Sequence, residues 1–561
     1  MQYDLKLTNG LIIDGTGRPG FSGDVAVKDG RIVALGKAGG SALRTIDADG
    51  LVVAPGFVDI HTHYDAQILW DRMLTVSPWH GVTSVVMGNC GVGLAPCRPQ
   101  VHEIAAQDLV NVEGIPFSVL QKGITWDWES FPSYMDAAGR RGSAINLSFL
   151  APLTPFRHYV MGEESMDRAA TPEETRKIAA LLREAVAAGA LGFSHTTGIQ
   201  HVGYKGRPLA CRLANRDELG SYARVLRELG KGVVEITLTQ NFGHIQDHEL
   251  DLLKFLLDES GRPVTWLAIF DREDQPQASA ETLQRAESLI RRGGVPQMTC
   301  RPLIAEFSMK DSFGFSMMKS WQPACDQPPE RLKQLYADPS FRQAVTEEMK
   351  RGPFRRNWER IDICEVGKPE FHSLLGRPVA QIARERGMAG HEFECVLDLA
   401  IEDDLNISFS QAVFNTNEER LGKLINDPRP MLGLSDAGAH VNLLCDAGYC
   451  TYLLGHWARE KNAITLEYAV KRITSEPANF FGIRERGQLK QGWKADVAIF
   501  DATTVNSARR ATMQHDLPGG GRRLVMPAEG IEYTVVNGKV SYEHGRQNGT
   551  LAGEVIRSSA A

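Results

Sequence analysis

From about Leu51 onward, short apolar runs rich in β-branched residues alternate with amphipathic stretches of helical period. A short continuous apolar run suits a strand buried on both faces of a parallel sheet. Eight strands are expected on this basis, at 51–63, 82–90, 144–152, 190–197, 232–240, 263–271, 295–303 and 430–436. Several are separated by helices with readable ends. Thr171-Pro172-Glu173-Glu174 is a capping box with proline at the first helical position, and Gly189 closes that helix. Asn215, with Glu218 three residues on, opens another that stops at Gly230. Eight βα repeats are the signature of an α/β fold of the (β/α)8 TIM barrel type, in which reacting groups sit at the C-terminal ends of the strands.

The ends of the chain have a different texture. Residues 1–50 and 485–545 carry alternating patterns broken by turn signals, such as Asp24-Val25-Ala26-Val27-Lys28-Asp29-Gly30 and Val535-Val536-Asn537-Gly538. Two β-rich ends flanking a barrel are expected to close into one small β-sandwich. The interval from about Pro302 to Asp427 is too long for one βα loop. It is expected to be an insertion over the barrel mouth, with Phe313-Gly314-Phe315-Ser316-Met317-Met318 among its apolar segments. The expected division is therefore 1–55 and 481–561 as the sandwich, and 56–480 as the barrel with its insertion at about 303–427.

The first expected strand leads into Val58-Asp59-Ile60-His61-Thr62-His63. Side chains at i and i+2 of a strand point the same way, so His61 and His63 can bind one metal ion; otherwise they are two polar residues in a surface turn.

Composition narrows the classes. The 561 residues are 43% hydrophobic and 23% charged, which is globular, and no apolar run approaches the length of a membrane span. The net charge of -7 and the lack of a basic block make nucleic acid an unexpected partner. Nine cysteines without CxxC spacing, and a start without signal-peptide texture, point to a cytoplasmic protein with no disulfide framework. A small molecule is the expected partner, no membrane is, and assembly as a homo-oligomer is left open.

Taken together, Ile12-Ile13-Asp14-Gly15-Thr16-Gly17, Pro55-Gly56-Phe57-Val58-Asp59-Ile60-His61-Thr62-His63, Ser435-Asp436, Thr474-Ser475-Glu476-Pro477-Ala478 and Gly492-Trp493-Lys494-Ala495-Asp496 resemble the amidohydrolase superfamily. Gly88-Asn89-Cys90-Gly91 after the second strand is most similar to the N-acyl-D-amino-acid deacylases (D-aminoacylases). The resemblance spans the chain. It implies a metal-dependent hydrolase of the amide of an N-acyl amino acid, with His61 and His63 as first-strand ligands and Cys90 as a thiolate ligand. Asp436 would be the last-strand aspartate that ligates and takes the proton of the hydrolytic water, and His440 would match a histidine that follows it. A cyclic amide or ureide hydrolase is the alternative, although Ala190 to Thr197 lacks the lysine its bimetallic site carries. A silent binding protein that has lost its metal is the third.

One departure shapes the expected cofactor. The family places a histidine at the end of strand five, within Thr-His-x-Arg, and another at the end of strand six. Here the matching stretches are Thr237-Leu238-Thr239-Gln240 and Thr265-Trp266-Leu267-Ala268-Ile269-Phe270, and neither holds one. One zinc ion per chain is expected, on the His61, His63 and Asp436 side. Cys90 is either an added ligand or a small buried residue. His195 either faces the substrate or is structural, and His244 either reaches in from its loop or lies at the surface. Arg301 either holds a substrate carboxylate or bridges to a buried acid. Asp59, Asp65 and Asp71 are read as supporting or surface carboxylates.

Overall fold

The computed structural model describes residues 2–310, 315, 318–325, 327–350 and 356–558. Parallel strands form at all eight expected places: Phe57–Asp59, Val82–Met87, Asn146–Phe149, Gly192–Thr196, Val233–Thr237, Val264–Leu267, Gly294–Met298 and Met431–Leu432. Below they are called the first to eighth parallel strands. The first three pair in one sheet and the last five in another. Backbone contacts join the two sheets at both margins. Leu191 N donates to Phe149 O at 2.7 Å between the third and fourth strands. At the other margin Thr62 bridges Ala437 in parallel, and His63 N donates to Ala437 O at 2.7 Å. Nearly every residue of these strands is buried, as the unbroken apolar runs require.

The helix ends follow their local chemistry. Thr171 Oγ1 accepts from Glu174 N at 3.3 Å while Glu174 Oε2 accepts from Thr171 N at 2.8 Å, so two of the first-turn amides are satisfied in Pro172–Ala188. Its buried face is Ile178, Leu182, Ala185 and Val186, spaced by three or four. Gly189 then turns the chain at φ 118 and Gly192 enters the fourth strand at φ 139. A Cβ on Gly192 would lie 1.8 Å from Val233 O, inside the neighbouring strand. Gly192→Ala is therefore expected to destabilise the fold by about 3 kcal/mol, combining overpacking with a disfavoured φ. Denaturant unfolding reads this directly, and an unchanged midpoint would refute the packing account.

The two ends of the chain share one nine-stranded sheet. Tyr3–Ile12, Phe21–Lys28, Arg31–Gly36, Ala42–Asp47 and Val52–Pro55 combine with Val497–Phe500, Ile531–Val536, Lys539–Glu543 and Arg546–Gln547. The junction is antiparallel, with Val53 opposite Ile499. Leu5, Leu7, Val25, Val27, Val53, Val497, Ile499 and Val535 form its core. A buried polar cluster ties this sheet to the start of the third parallel strand: Asn146 Nδ2 donates to Asp496 Oδ2 at 3.0 Å, and Asn537 Nδ2 donates to Asn146 Oδ1 at 2.8 Å.

The chain divides into two compact units. One comprises residues 1–301, 417–441 and 445–561, and the other 302–416 with 442–444. The second unit has a three-stranded antiparallel sheet, Leu303–Ser308, Ser408–Phe414 and Ile361–Glu365, and its own core around Trp321, Tyr336, Phe393 and Phe409. Of the expected apolar segment 313–318, only Phe315 and Met318 lie within the described residues, and both join that core. Among the described residues no helix is long and apolar enough to cross a membrane, and the cysteines form no disulfide.

Candidate metal centre

Past Asp59 the first parallel strand continues as an extended segment pinned on both sides, by Thr62 N to Val86 O at 3.1 Å and by His63 N to Ala437 O. That extended path carries His61 and His63, two apart, to one point, where their Nε2 atoms lie 3.3 Å from each other. The second strand ends in Gly88-Asn89-Cys90, and Cys90, at φ 56, turns its sulfur back to within 3.4 Å of His61 Nε2. The three donor atoms of His61, His63 and Cys90 all lie within 4.8 Å of one another. Past the eighth strand, Asp436 brings Oδ1 to 3.2 Å from His61 Nε2 and 3.7 Å from His63 Nε2. His61 is fully buried whereas the Asp436 side chain is 22% exposed, so the cluster opens at the carboxylate.

Each donor has a dedicated polar support. His61 Nδ1 meets Gln297 Oε1 of the seventh strand at 3.0 Å, which assigns the proton to Nδ1 and leaves the Nε2 lone pair for a metal. His63 Nδ1 stands 3.1 Å from Glu113 Oε1, at the C-terminal end of helix His102–Glu113. Thr237 Oγ1 of the fifth strand donates to Cys90 Sγ at 3.1 Å. Beneath them, Asp59 accepts from Ser435 Oγ at 2.6 Å, and burial pushes its carboxyl up to about 8. Burial also works to raise Asp436, but the His63 hydrogen bond and the charges of His61, His63 and His440 outweigh it and hold the carboxyl well below the ordinary range. It is therefore a carboxylate at neutral pH.

Glu113, Gln297, Thr237 and Glu235 were not singled out by the sequence. Gln297 and Thr237 do lie within expected strands, whereas nothing in its own sequence context marks Glu113, which reaches the site from a helix end. His440, at φ 49, acts electrostatically on both Asp436 and Glu113, so it flanks the cluster. His201 was also missed. It is buried, its Nδ1 lies 2.7 Å from Thr196 Oγ1, and burial pushes it down to about 3.

Three other candidates lie elsewhere. In the paired register Ser194, Glu235 and Thr265 share one face and His195, Ile236 and Trp266 the other. Ser194 bonds the Gly88 to Gly91 turn beside the site, so alternation sends His195 to the opposite face. His244 lies 3.8 Å from Glu281 of helix Ala278–Ile290. Arg301 is buried, its Nε sits 2.8 Å from Asp446 Oδ1, and it donates to Ser507 Oγ, so its guanidinium binds the protein rather than a substrate carboxylate. Arg301→Ala should thus act on stability, by about 3–5 kcal/mol, because it strands a buried carboxylate. Denaturant unfolding measures this; a stable variant with only a raised KM would restore the substrate-holding role.

Two imidazole nitrogens, a thiol sulfur and a carboxylate oxygen converging in a largely buried cluster match the donor set of a zinc-type divalent site. A family model described as "Amidohydrolase family" matches residues 44–327 and 336–542. The chain belongs to the amidohydrolase family. Within that family it is 30% identical over 572 residues to a D-aminoacylase of Alcaligenes xylosoxydans xylosoxydans, covering 100% of this chain and 98% of the relative. An N-acyl-D-aspartate deacylase of the same organism is 27% identical, over 99% of this chain and 95% of that one. Among solved structures, the N-acyl-D-glutamate deacylase of Bordetella bronchiseptica, complexed with zinc and a phosphonate inhibitor, superposes with a TM-score of 0.68 at 26% identity and covers 100% of both chains. L-hydantoinase of Arthrobacter aurescens, 14% identical with a TM-score of 0.52 over 99% of this chain and 100% of that one, shares the fold. This amidohydrolase ends its fifth and sixth parallel strands in Thr237 and Leu267.

Proposed function

We propose that this amidohydrolase cleaves the amide C–N bond of an N-acyl amino acid, or a closely related small molecule, with a divalent metal held by His61, His63, Cys90 and Asp436. The two parallel sheets are read as one closed (β/α)8 barrel around the site, and the terminal sheet as a small β-sandwich folded on itself. The convergence of four donors at the strand ends carries the reading, and relatives named D-aminoacylase and N-acyl-D-aspartate deacylase supply the substrate class. A divalent ion held there, zinc by this donor set, would polarise the scissile carbonyl and make water a stronger acid.

The protein does the rest. Gln297 and Glu113 hold the imidazoles with both Nε2 atoms turned inward. Asp436, ionised and 22% exposed, accepts a proton from the attacking water as the new C–O bond forms. The same oxygen then returns that proton to the departing nitrogen as the C–N bond breaks, so water and amide become carboxylic acid and amine, which at neutral pH are carboxylate and ammonium. His440 flanks Asp436 and acts on it electrostatically.

Hydrolysis of N-acetyl amino acids of both hands by metal-loaded protein tests the reading. Turnover of one hand, abolished by a chelator and restored by zinc, supports it. No turnover of any N-acyl amino acid by protein shown to carry metal would overturn it.

A further inference from the structure

We propose that Thr237 is a positioning residue that holds Cys90 as a terminal thiolate ligand, so that the fifth strand supports a ligand where the family pattern has it supply one. This rests on the metal centre proposed above. Residues two apart on a strand share a face, and Glu235 and Thr237 both turn to Cys90. Glu235 Oε2 accepts the Cys90 amide N–H at 2.7 Å, and Thr237 Oγ1 donates to Cys90 Sγ at 3.1 Å.

The two contacts fix different degrees of freedom. Cys90 at φ 56 occupies the left-handed region, which is disfavoured for a residue with a side chain, and the Glu235 carboxyl oxygen on its amide holds it there. The hydroxyl then fixes where the sulfur points. Thr237 and Glu235 are both buried, so water does not compete for either contact.

A thiol that coordinates a metal is deprotonated, so the hydroxyl hydrogen meets a negatively charged sulfur. That hydrogen bond draws electron density from the sulfur and lowers its donation to the metal. It also occupies one side of the sulfur. With Thr237 on that side and the His61 and His63 nitrogens on another, Cys90 completes one ion's shell and has no partner nitrogen from the fifth or sixth strand with which to bridge to a second.

Cobalt(II) provides the probe, because a thiolate bound to it gives a sulfur-to-cobalt charge-transfer band. In T237V, which keeps the shape and removes the hydroxyl, the sulfur electrons are held less tightly. The band should move to longer wavelength, and, because the sulfur is no longer held in place toward the ion, cobalt should pass to a competing chelator about 10- to 100-fold more readily despite the stronger sulfur donation. T237S, which keeps the donor, should restore both. An unmoved band with unchanged retention in T237V overturns the proposal while leaving the metal centre intact. Cobalt-loaded wild-type protein without any sulfur band removes Cys90 from the centre, and overturns the proposal together with that part of the reading beneath it. T237A, which removes the hydroxyl without the valine methyl's steric demand, serves the same test if T237V does not fold by circular dichroism.

Discussion

Replacing Asp436 by asparagine should slow hydrolysis of an N-acyl amino acid by about 10²- to 10⁴-fold, the usual contribution of a positioned general base. The substitution changes one atom and leaves the shape. An amide oxygen can still lie near the imidazoles, but it has no basicity with which to accept a proton from water. The loss should fall on kcat, because the proton moves only on the way to the transition state. Bound metal, measured by elemental analysis of the same sample, should remain, since His61, His63 and Cys90 keep their supports in Gln297, Glu113 and Thr237. A variant that keeps near-normal turnover would remove Asp436 from proton transfer. One that loses its metal along with its activity would recast Asp436 as a ligand first and a base second.

The second large effect is on the metal itself. Wild-type protein dialysed against zinc and then against buffer should retain about one ion per chain, and the His61→Ala, His63→Ala double variant should retain essentially none. Two of four donors vanish in that variant, and the remaining thiol and carboxylate cannot close a tetrahedral shell. The fold should survive, because each ring lies in a polar cluster whose backbone is held independently by Thr62 and Ala437. Two tightly held ions in the wild type would show that buried groups near the cluster, such as Glu113 and Glu235, build a second site. Unchanged metal content in the double variant would place the ion elsewhere.

Much of this arrangement is written locally. Capping residues, αL glycines and apolar runs act over a few neighbours, so the Thr171 and Asn215 helix starts and all eight parallel strands can be read without tertiary knowledge. His61 and His63 belong to the same class, because their shared direction follows from chain geometry alone. What escaped depends on neighbours distant in sequence. His195 ends an expected strand, but which face it takes is set by pairing with Val233–Thr237, and a one-residue offset inverts it. Arg301 became a structural cation because Asp446, 145 positions later, meets its Nε at 2.8 Å. Thr237-Leu238-Thr239-Gln240 read as an absence, the loss of a histidine, and only the distance from Thr237 to Cys90 Sγ turns it into a contribution. Glu113 illustrates the limit: an acid at a helix end is usually solvated, and this one is 1% exposed against His63.

The nine-stranded sheet has a bearing on how the chain is made. Val52–Pro55 leads directly into the strand that bears His61 and His63, and its own partner is Val497–Phe500. At a synthesis rate of about 5–20 residues per second, the interval between those two segments takes on the order of tens of seconds. Throughout it the hydrogen-bonding edge of Val52–Pro55 that later receives Val497–Phe500 stays unpaired, an invitation to pair with the wrong strand or with another nascent chain. The sheet next to His61 and His63 can thus be completed only once Val497–Phe500 has been made, and a chain cut short of residue 497 would carry both histidines with that sheet unfinished.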